Sequence, residues 1–284
     1  MRTAPRTITL RALMIWEWEI IAADAVVGAI AGALGWLAAR RAAPTKNNSL
    51  TRIIPVVCVV TGYLVSGQTV NPVIRDWKMR RDLRNAGLAL YGNERAADLH
   101  ARAMAPILRN LRFNPRLSSF ERLGRPGAAK LLAAGMARLE QSDREAIFNV
   151  KSVLAARSPT LCAGFWTGTI PSDELQRTLR TLDEEQQRIW ITVSARALSR
   201  EVDATSPPTH VPAKVAAGAF AALYAALTPV GRAAFDAADP AASKTDVNAS
   251  CKAFLALADG MWALPPQQRE IAMRSAEHPE LIDR

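Results

Sequence analysis

The residues that could perform nucleophilic, acid–base or metal chemistry are few and scattered. The chain has three cysteines and three histidines, and the histidines are His100, His210 and His278. Metal sites and activated nucleophiles need such side chains at fixed spacings, as in H-E-x-x-H, C-x-x-C or G-x-S-x-G, and none of these patterns occurs. The phosphate-binding patterns G-x-x-x-x-G-K-[S/T] and G-x-G-x-x-G are also missing from the sequence. We therefore predict no catalytic residue, no metal site, no cofactor and no small-molecule ligand.

One acidic run, at residues 183–185, brings three carboxylates together. It lies at a predicted helix start, where carboxylates stabilise the positive end of the helix dipole, so its expected role is structural. A hydrolase whose carboxylates meet only in the folded chain is the alternative, and a pocket that raises the pKa of one of two acids would indicate it.

Cys162 and Cys251 occupy similar places in the chain. Cys162 follows Leu139 by 23 residues, Cys251 follows Leu227 by 24, and each has a phenylalanine three positions later. Turn-forming residues precede both, at 158–160 and 248–250. Two such cysteines in one domain predict a disulfide, which requires an oxidising compartment such as the periplasm. The alternative is two buried thiols in a cytosolic helical domain.

The elements that would position these cysteines are helices. Sparse aromatics and a sequence rich in Ala, Arg and Leu predict an all-α fold, either a bundle or an irregular array of helical hairpins. A leucine, a short turn and an arginine recur four times, with the leucines 43, 45 and 37 residues apart. The four pairs are Leu139/Arg144, Leu182/Arg188, Leu227/Arg232 and Leu264/Arg269. They indicate an internal duplication, or else ordinary helix boundaries in a sequence of this composition.

Local signals refine the predicted helix boundaries. Ser142 and Glu145 have the spacing of a capping box, and Thr228 precedes a proline at a helix start. Helices are predicted from Asp76 to Leu90, from Glu94 to Leu111, and from about Pro126 to Leu139. Three prolines in residues 205–212 exclude a continuous helix and mark a linker.

Two apolar runs, at residues 20–39 and 53–70, predict a hairpin of transmembrane helices. The first run has the length that a bilayer requires, and the second has 18 residues without a charge. Gly28, Gly32 and Gly35 would let another helix approach closely. A buried soluble helix is the alternative for the first run, and a strand is the alternative for the second.

Charge separates the predicted regions. Residues 71–138 contain fourteen basic and five acidic side chains, a net charge of +9, whereas residues 139–284 have a net charge of −3. We interpret residues 1–70 as a membrane anchor, 71–138 as a basic juxtamembrane region and 139–284 as a helical domain. A lipid or polyanion contact is predicted for the basic side chains that follow the second apolar run, which are Arg75, Lys78, Arg80, Arg81 and Arg84. The alternative is an ordinary solvated helix face.

Orientation in the membrane has conflicting signals. The loop between the apolar runs has four basic residues and no acid, which favours a cytoplasmic loop and an exported C-terminal domain. The basic residues after the second run favour the opposite, but long domains cross largely regardless of charge. With the predicted disulfide, the balance favours a periplasmic C-terminal domain on a bacterial inner membrane, and the composition is typical of a high-GC bacterium.

We therefore expect a membrane-anchored helical scaffold or interaction protein of a bacterial cell envelope. Its expected partners are membrane lipids and another protein, which includes a second copy of this chain. Nucleic-acid binding through residues 71–138 is a further alternative, but that region interleaves few aromatic side chains with its basic ones, unlike single-strand binders.

Overall fold

The computed structural model describes residues 71–114, 125–203, 208–238 and 246–283. The chain divides into two compact units, residues 1–81 and residues 82–284. The predicted transmembrane runs, with Gly28, Gly32 and Gly35, lie outside the described residues. Within the described ranges, no helix has both the length and the apolar content that crossing a bilayer requires.

The described residues are mostly helical, which confirms the all-α prediction. Eleven α-helices lie in these ranges, with one 3₁₀ turn at Pro279–Leu281 and two short strands. The helices are α1 (Asn71–Tyr91), α2 (Glu94–Phe113), α3 (Arg125–Met136), α4 (Gln141–Arg157), α5 (Pro159–Thr167), α6 (Ser172–Leu179), α7 (Glu184–Asp203), α8 (Ala213–Ala226), α9 (Pro229–Ala237), α10 (Val247–Ala263) and α11 (Pro266–Glu277). Strands β1 (Val211–Pro212) and β2 (Ile282–Asp283) form a parallel pair, with Val211 opposite Ile282.

Two helices organise the packing of residues 82–284. The first, α7, lies against α2, α3 and α4. The second, α10, lies against α4, α5, α8, α9 and α11. Because α4 contacts both, it joins the two helix groups into one body. The boundary predicted between residues 71–138 and 139–284 stays a prediction. Helices α3 and α4, on either side of that boundary, both pack against α7.

Gly92 and Asn93 explain where α1 ends and α2 begins. Gly92 ends α1 with a φ of 75°, in the left-handed region that favours glycine, and its N–H donates to the Leu88 carbonyl at 2.9 Å. The Asn93 side chain then caps α2 by accepting from the Ala96 N–H at 2.8 Å. These two residues produce the corner between the two predicted helices, and the described part of α1 already includes Asn71, five residues before the predicted start.

Thr228 caps α9 as predicted, since its hydroxyl accepts from the Gly231 N–H at 3.0 Å and Pro229 is the first helical residue. The capping box predicted at Ser142 is wrong. Helix α4 begins at Gln141 with Glu140 at the cap position, so Ser142 already lies in the first turn. Glu145 instead accepts from Gln141 at 2.9 Å and from Arg269 at 2.8 Å.

The linker predicted at 205–212 stays a prediction, and the structure describes residues 208–212 of it. Helix α7 ends at Asp203, and the linker's last two residues form β1. His210 lies beside Asp283, with Nδ1 3.2 Å from Oδ1, so the end of the linker is held against the C-terminal strand.

Candidate functional site

A disulfide between Cys162 and Cys251 joins α5 to α10. The two sulfur atoms are at bonding distance, 2.11 Å, and the Cα atoms are 4.8 Å apart although 89 positions separate the residues in sequence. Cys162 is fully buried and Cys251 partly so. The pairing agrees with the sequence prediction. The expected turn before Cys251 is wrong, because residues 248–250 already lie inside α10.

The caps of both helices explain this arrangement. The Ser158 hydroxyl accepts from the Leu161 N–H at 3.3 Å and starts α5 at Pro159. Asp246 starts α10 by accepting from the Asn248 N–H at 2.8 Å, and this cap places Cys251 in the second helical turn.

Aromatic side chains surround the disulfide on the α4, α5 and α10 side. The rings of Phe165 and Phe254 have centroids 5.6 Å apart, and Phe148 lies 6.1 Å from Phe254. Trp262 is partly exposed and lies 6.3 Å from Phe148. Trp166 meets Phe235 edge to face at 5.3 Å. Trp166 thus packs against the core, whereas Trp262 lies at the rim of the cluster.

A buried ion cluster joins α4 to the end of α11. Arg144 is only 1% exposed, and its guanidinium donates to the Leu139 carbonyl at 3.2 Å and lies 3.4 Å from the Glu277 carboxylate. The Lys151 ammonium lies 2.5 Å from the same carboxylate. Burial alone would raise the pKa of Glu277, but Lys151 and Arg144 outweigh burial and hold that pKa below its ordinary value.

The N-terminal part of α4 makes three further contacts with other helices. Asp143 forms an ion pair with Arg196 of α7. Glu145 forms one with Arg269 of α11 at 2.8 Å, and Gln141 donates to the Pro266 carbonyl at 3.0 Å. Helix α4 is thus fixed to both helix groups by charge-assisted contacts in addition to apolar packing.

A cleft of about 640 Å³ lies where the N-terminal ends of α2 and α7 meet. Gln187, which is 2% exposed, donates to the carbonyls of Tyr91 at 3.2 Å and Leu179 at 3.0 Å and accepts from Asn93 at 2.5 Å. Arg95 pairs with Glu184 across the cleft at 3.0 Å. The polar groups of this cleft therefore bind one another, and the cleft serves as a helix junction.

A second, apolar groove of about 390 Å³ lies between α8 and α9. Phe220, Leu223, Leu227 and Phe235 line it, with Tyr224 at the surface donating to Asp236 at 2.8 Å. Phe220 packs against the core, while Tyr224 is 39% exposed.

The histidines and acids do not assemble a recognisable reaction centre in the described residues. His100 packs against Tyr91 with ring centroids 5.7 Å apart, and burial lowers its pKa. No group of three His, Cys, Asp or Glu side chains in the described ranges is arranged to hold a metal ion. Among the described residues, the carboxyl groups with a shifted pKa are Glu185 and Glu277, and both values are lowered, opposite to what a general acid needs.

The five basic side chains predicted to contact lipid have different surroundings along α1. Arg75, Arg80 and Arg81 are exposed, whereas Lys78 is buried. Arg84 forms ion pairs with Glu94 and with Asp98, the latter at 2.6 Å. The structure therefore leaves three of the five predicted side chains at the exposed surface and engages Arg84 with acids of α2.

The sequence patterns did not predict the structural roles of two polar residues, Gln187 and Glu277. Arg144 follows Leu139 by five residues, and Gln187 follows Leu182 by the same number. In the recurring pattern, the residue equivalent to Arg144 is therefore Gln187 and not Arg188. Glu277 had no local signal, because its two partners lie more than 120 positions earlier.

No protein-family model, curated protein or solved structure matches this chain. The functional inference therefore depends on the sequence and on the geometry of the described residues.

Proposed function

We propose that this protein is a membrane-anchored helical scaffold or interaction protein of a bacterial cell envelope, with residues 82–284 on the oxidising side of the inner membrane. The single observation that carries the proposal is the buried disulfide between α5 and α10. Disulfides persist in the periplasm and in secreted proteins and are rare in the reducing cytosol.

The interior around the disulfide supports a scaffolding role. The Phe148, Phe165 and Phe254 rings pack together beside it, and the Arg144, Lys151 and Glu277 cluster fixes α11 to α4. The charged groups of this cluster therefore link two helices. A rigid body of this kind suits the presentation of a surface to another protein.

The anchor in this proposal comes from the two apolar runs at 20–39 and 53–70, which have the lengths and low charge of membrane-spanning helices. The charge of the short loop favours a cytoplasmic connection, with both ends of the chain on the opposite side, and this proposal adopts that orientation. Partners under this proposal are membrane lipids and a further protein chain, which includes a second copy of this one.

The deciding experiment counts free thiols in the full chain expressed in a Gram-negative bacterium. The cells express the chain with Cys58→Ser, so that Cys162 and Cys251 are its remaining cysteines. Acid stops thiol exchange in these cells. The denatured protein then reacts with a maleimide polymer, which adds mass at each free thiol, either before or after reduction. We expect no adduct before reduction and two after it. A control with Cys162→Ser added leaves one thiol, which must be labelled without reductant.

Two adducts on the unreduced protein would mean that both thiols are free in the cell, and the oxidising location would then be wrong. The interaction role has a separate test, in which membranes are cross-linked before purification. We expect species heavier than the monomer, and recovery of the monomer alone would contradict a scaffold.

A further inference from the structure

The first turns of α1 expose two large apolar side chains on one face. Val73 is 67% exposed and Trp77 is 58% exposed. Residues four apart lie one above the other on a helix, so these two side chains form a continuous apolar strip. The only other aromatic residue of α1, Tyr91, is buried at the far end of the helix.

Arg80 and Arg81 lie on the same side of α1 as this strip, and Arg75 lies on the opposite face. The Arg81 guanidinium lies over the Trp77 ring, 4.8 Å from its centroid, and continues the strip by one more turn. Arg75 and Arg80 are also exposed, and Arg80 forms an ion pair with Asp76 at 2.9 Å. Residues 72–81 contain four basic side chains and one acid. An exposed tryptophan with arginines beside it matches an interface that is apolar on one side and anionic on the other.

We propose that Val73 and Trp77 insert at the level of the lipid headgroups, while Arg75, Arg80 and Arg81 bind anionic headgroups of the same membrane. This inference rests on the proposed anchor, because the strip begins three residues after the apolar run at 53–70. Tryptophan is enriched at the membrane–water interface, and juxtamembrane arginines are attracted to anionic lipids. Arg84 is not part of this surface because it is only partly exposed and its ion pairs with Glu94 and Asp98 bind it to α2, whereas Arg75, Arg80 and Arg81 are exposed.

The test uses the full chain in lipid nanodiscs, with a fluorescent label at a single introduced cysteine. Cys58→Ser removes the third native thiol, Cys162 and Cys251 stay paired, and Val73→Cys takes the label. Leu88→Cys gives a matched control, since Leu88 is exposed on the same helix fifteen residues later. Lipids with a quencher near the headgroup are compared at two compositions, phosphatidylcholine alone and phosphatidylcholine with phosphatidylglycerol.

We expect the label at residue 73 to be quenched at least twofold more than the label at residue 88 in the anionic nanodiscs. Trp77→Ala, and separately the triple change of Arg75, Arg80 and Arg81 to Gln, are expected to lower that quenching to its value in phosphatidylcholine alone. Equal quenching at residues 73 and 88, in a chain that stays in the nanodisc, would overturn the inference and leave the anchor intact. A chain that does not enter nanodiscs at all would overturn the anchor and, with it, this surface.

Discussion

Phe165 and Phe254, each three residues after a disulfide cysteine, face each other with their ring centroids 5.6 Å apart. Two segments with the same cysteine–phenylalanine spacing thus meet through equivalent side chains. The similarity of their surroundings ends there, because Cys162 lies in a nine-residue helix and Cys251 in one of seventeen. An internal duplication therefore stays a prediction, while the contact itself gives the disulfide a packed apolar setting.

Removing the disulfide is expected to destabilise the chain strongly. Cys162→Ala with Cys251→Ala frees a loop that spans 89 positions, and the chain-entropy model gives roughly 4–5 kcal/mol for a loop of that length. Urea unfolding of the purified full chain, followed by tryptophan fluorescence, would measure the loss. Reductant should have the same effect on the wild-type chain and no effect on the double variant.

Cys58→Ser is the matched control for that measurement, because Cys58 is not part of the pair. Its urea midpoint should equal the wild-type midpoint, with and without reductant. A double-alanine variant as stable as the wild type would show that the disulfide does not stabilise the folded chain.

Gly135 allows α3 to approach α7 closely. A Cβ at this position would overlap the backbone carbonyl of Ala197, so Gly135→Ala requires the two helices to separate. Overpacking of this kind costs about 1–3 kcal/mol in free energy of unfolding. Gly218→Ala is the matched control, since a Cβ at that position in α8 meets nothing within 4 Å. We expect the control to be neutral or stabilising by up to about 1 kcal/mol, measured by the same unfolding assay.

Four helix corners were predictable from the sequence because one local pattern produces them. Each of the recurring leucines lies two residues before a helix start and is buried. They are Leu139 before α4, Leu182 before α7, Leu227 before α9 and Leu264 before α11. An apolar side chain must point inward where the chain reverses, and a cap must follow it, so leucine and a polar or proline residue recur together.

The capping details were less predictable. The Ser142–Glu145 spacing fits a capping box, yet Glu140 occupies the cap position without a side-chain cap hydrogen bond, and Glu145 bonds to Gln141 and Arg269. A reciprocal box does form elsewhere, where Asp183 accepts from the Gln186 N–H at 2.8 Å and Gln186 accepts from the Asp183 N–H at 3.2 Å. The D-x-x-Q pattern of these two residues overlaps the acidic run at 183–185 and is a local sequence signal for this box.

Contacts between distant segments left no local signal. The Glu277 cluster depends on α11 returning to α4, and the Gln187 junction depends on α1 and α2 meeting α7. Periodicity and capping patterns determine where helices begin and end, but they do not determine which helices touch. The disulfide was the exception, because cysteine chemistry restricts the choice of partner to another cysteine.

Gln187 offers a test of the junction between α1, α2 and α7. Gln187→Met keeps the length of the side chain but removes three hydrogen bonds, which leaves the buried carbonyls of Tyr91 and Leu179 without this donor. Each unsatisfied buried group costs roughly 1–3 kcal/mol, so we expect a loss of at least about 2 kcal/mol. Hydrogen exchange should also show faster exchange at the amides of α1 and α2 around Gly92. Gln267→Met, at an exposed position of α11, should leave both measurements unchanged.

Glu277 is expected to make stability depend on acid pH. Because Lys151 and Arg144 hold its pKa below the value of about 4.3 expected in the unfolded chain, its contribution is complete above that pH. The contribution is lost as the pH falls through the folded-state pKa, when the unfolded chain binds the proton more readily. Glu277→Gln leaves the buried Arg144 without its counter-charge, which costs roughly 3–5 kcal/mol at neutral pH. Urea unfolding at intervals between pH 7 and pH 3 should show the wild type and the variant converging as the pH falls.

Glu185→Gln is the control for the loss of an exposed ion pair, and comparing it with Glu277→Gln shows how much burial adds to the effect on stability. The hydrogen bond from Arg188 lowers the pKa of Glu185 too, but both side chains are exposed. Solvent weakens such a pair, so this variant should follow the wild-type stability profile at every pH. If Glu277→Gln and Glu185→Gln gave the same profile, the Arg144, Lys151 and Glu277 cluster would contribute no more than a surface ion pair. Helix α11 would then be held to α4 by Arg269, Gln141 and apolar contacts alone.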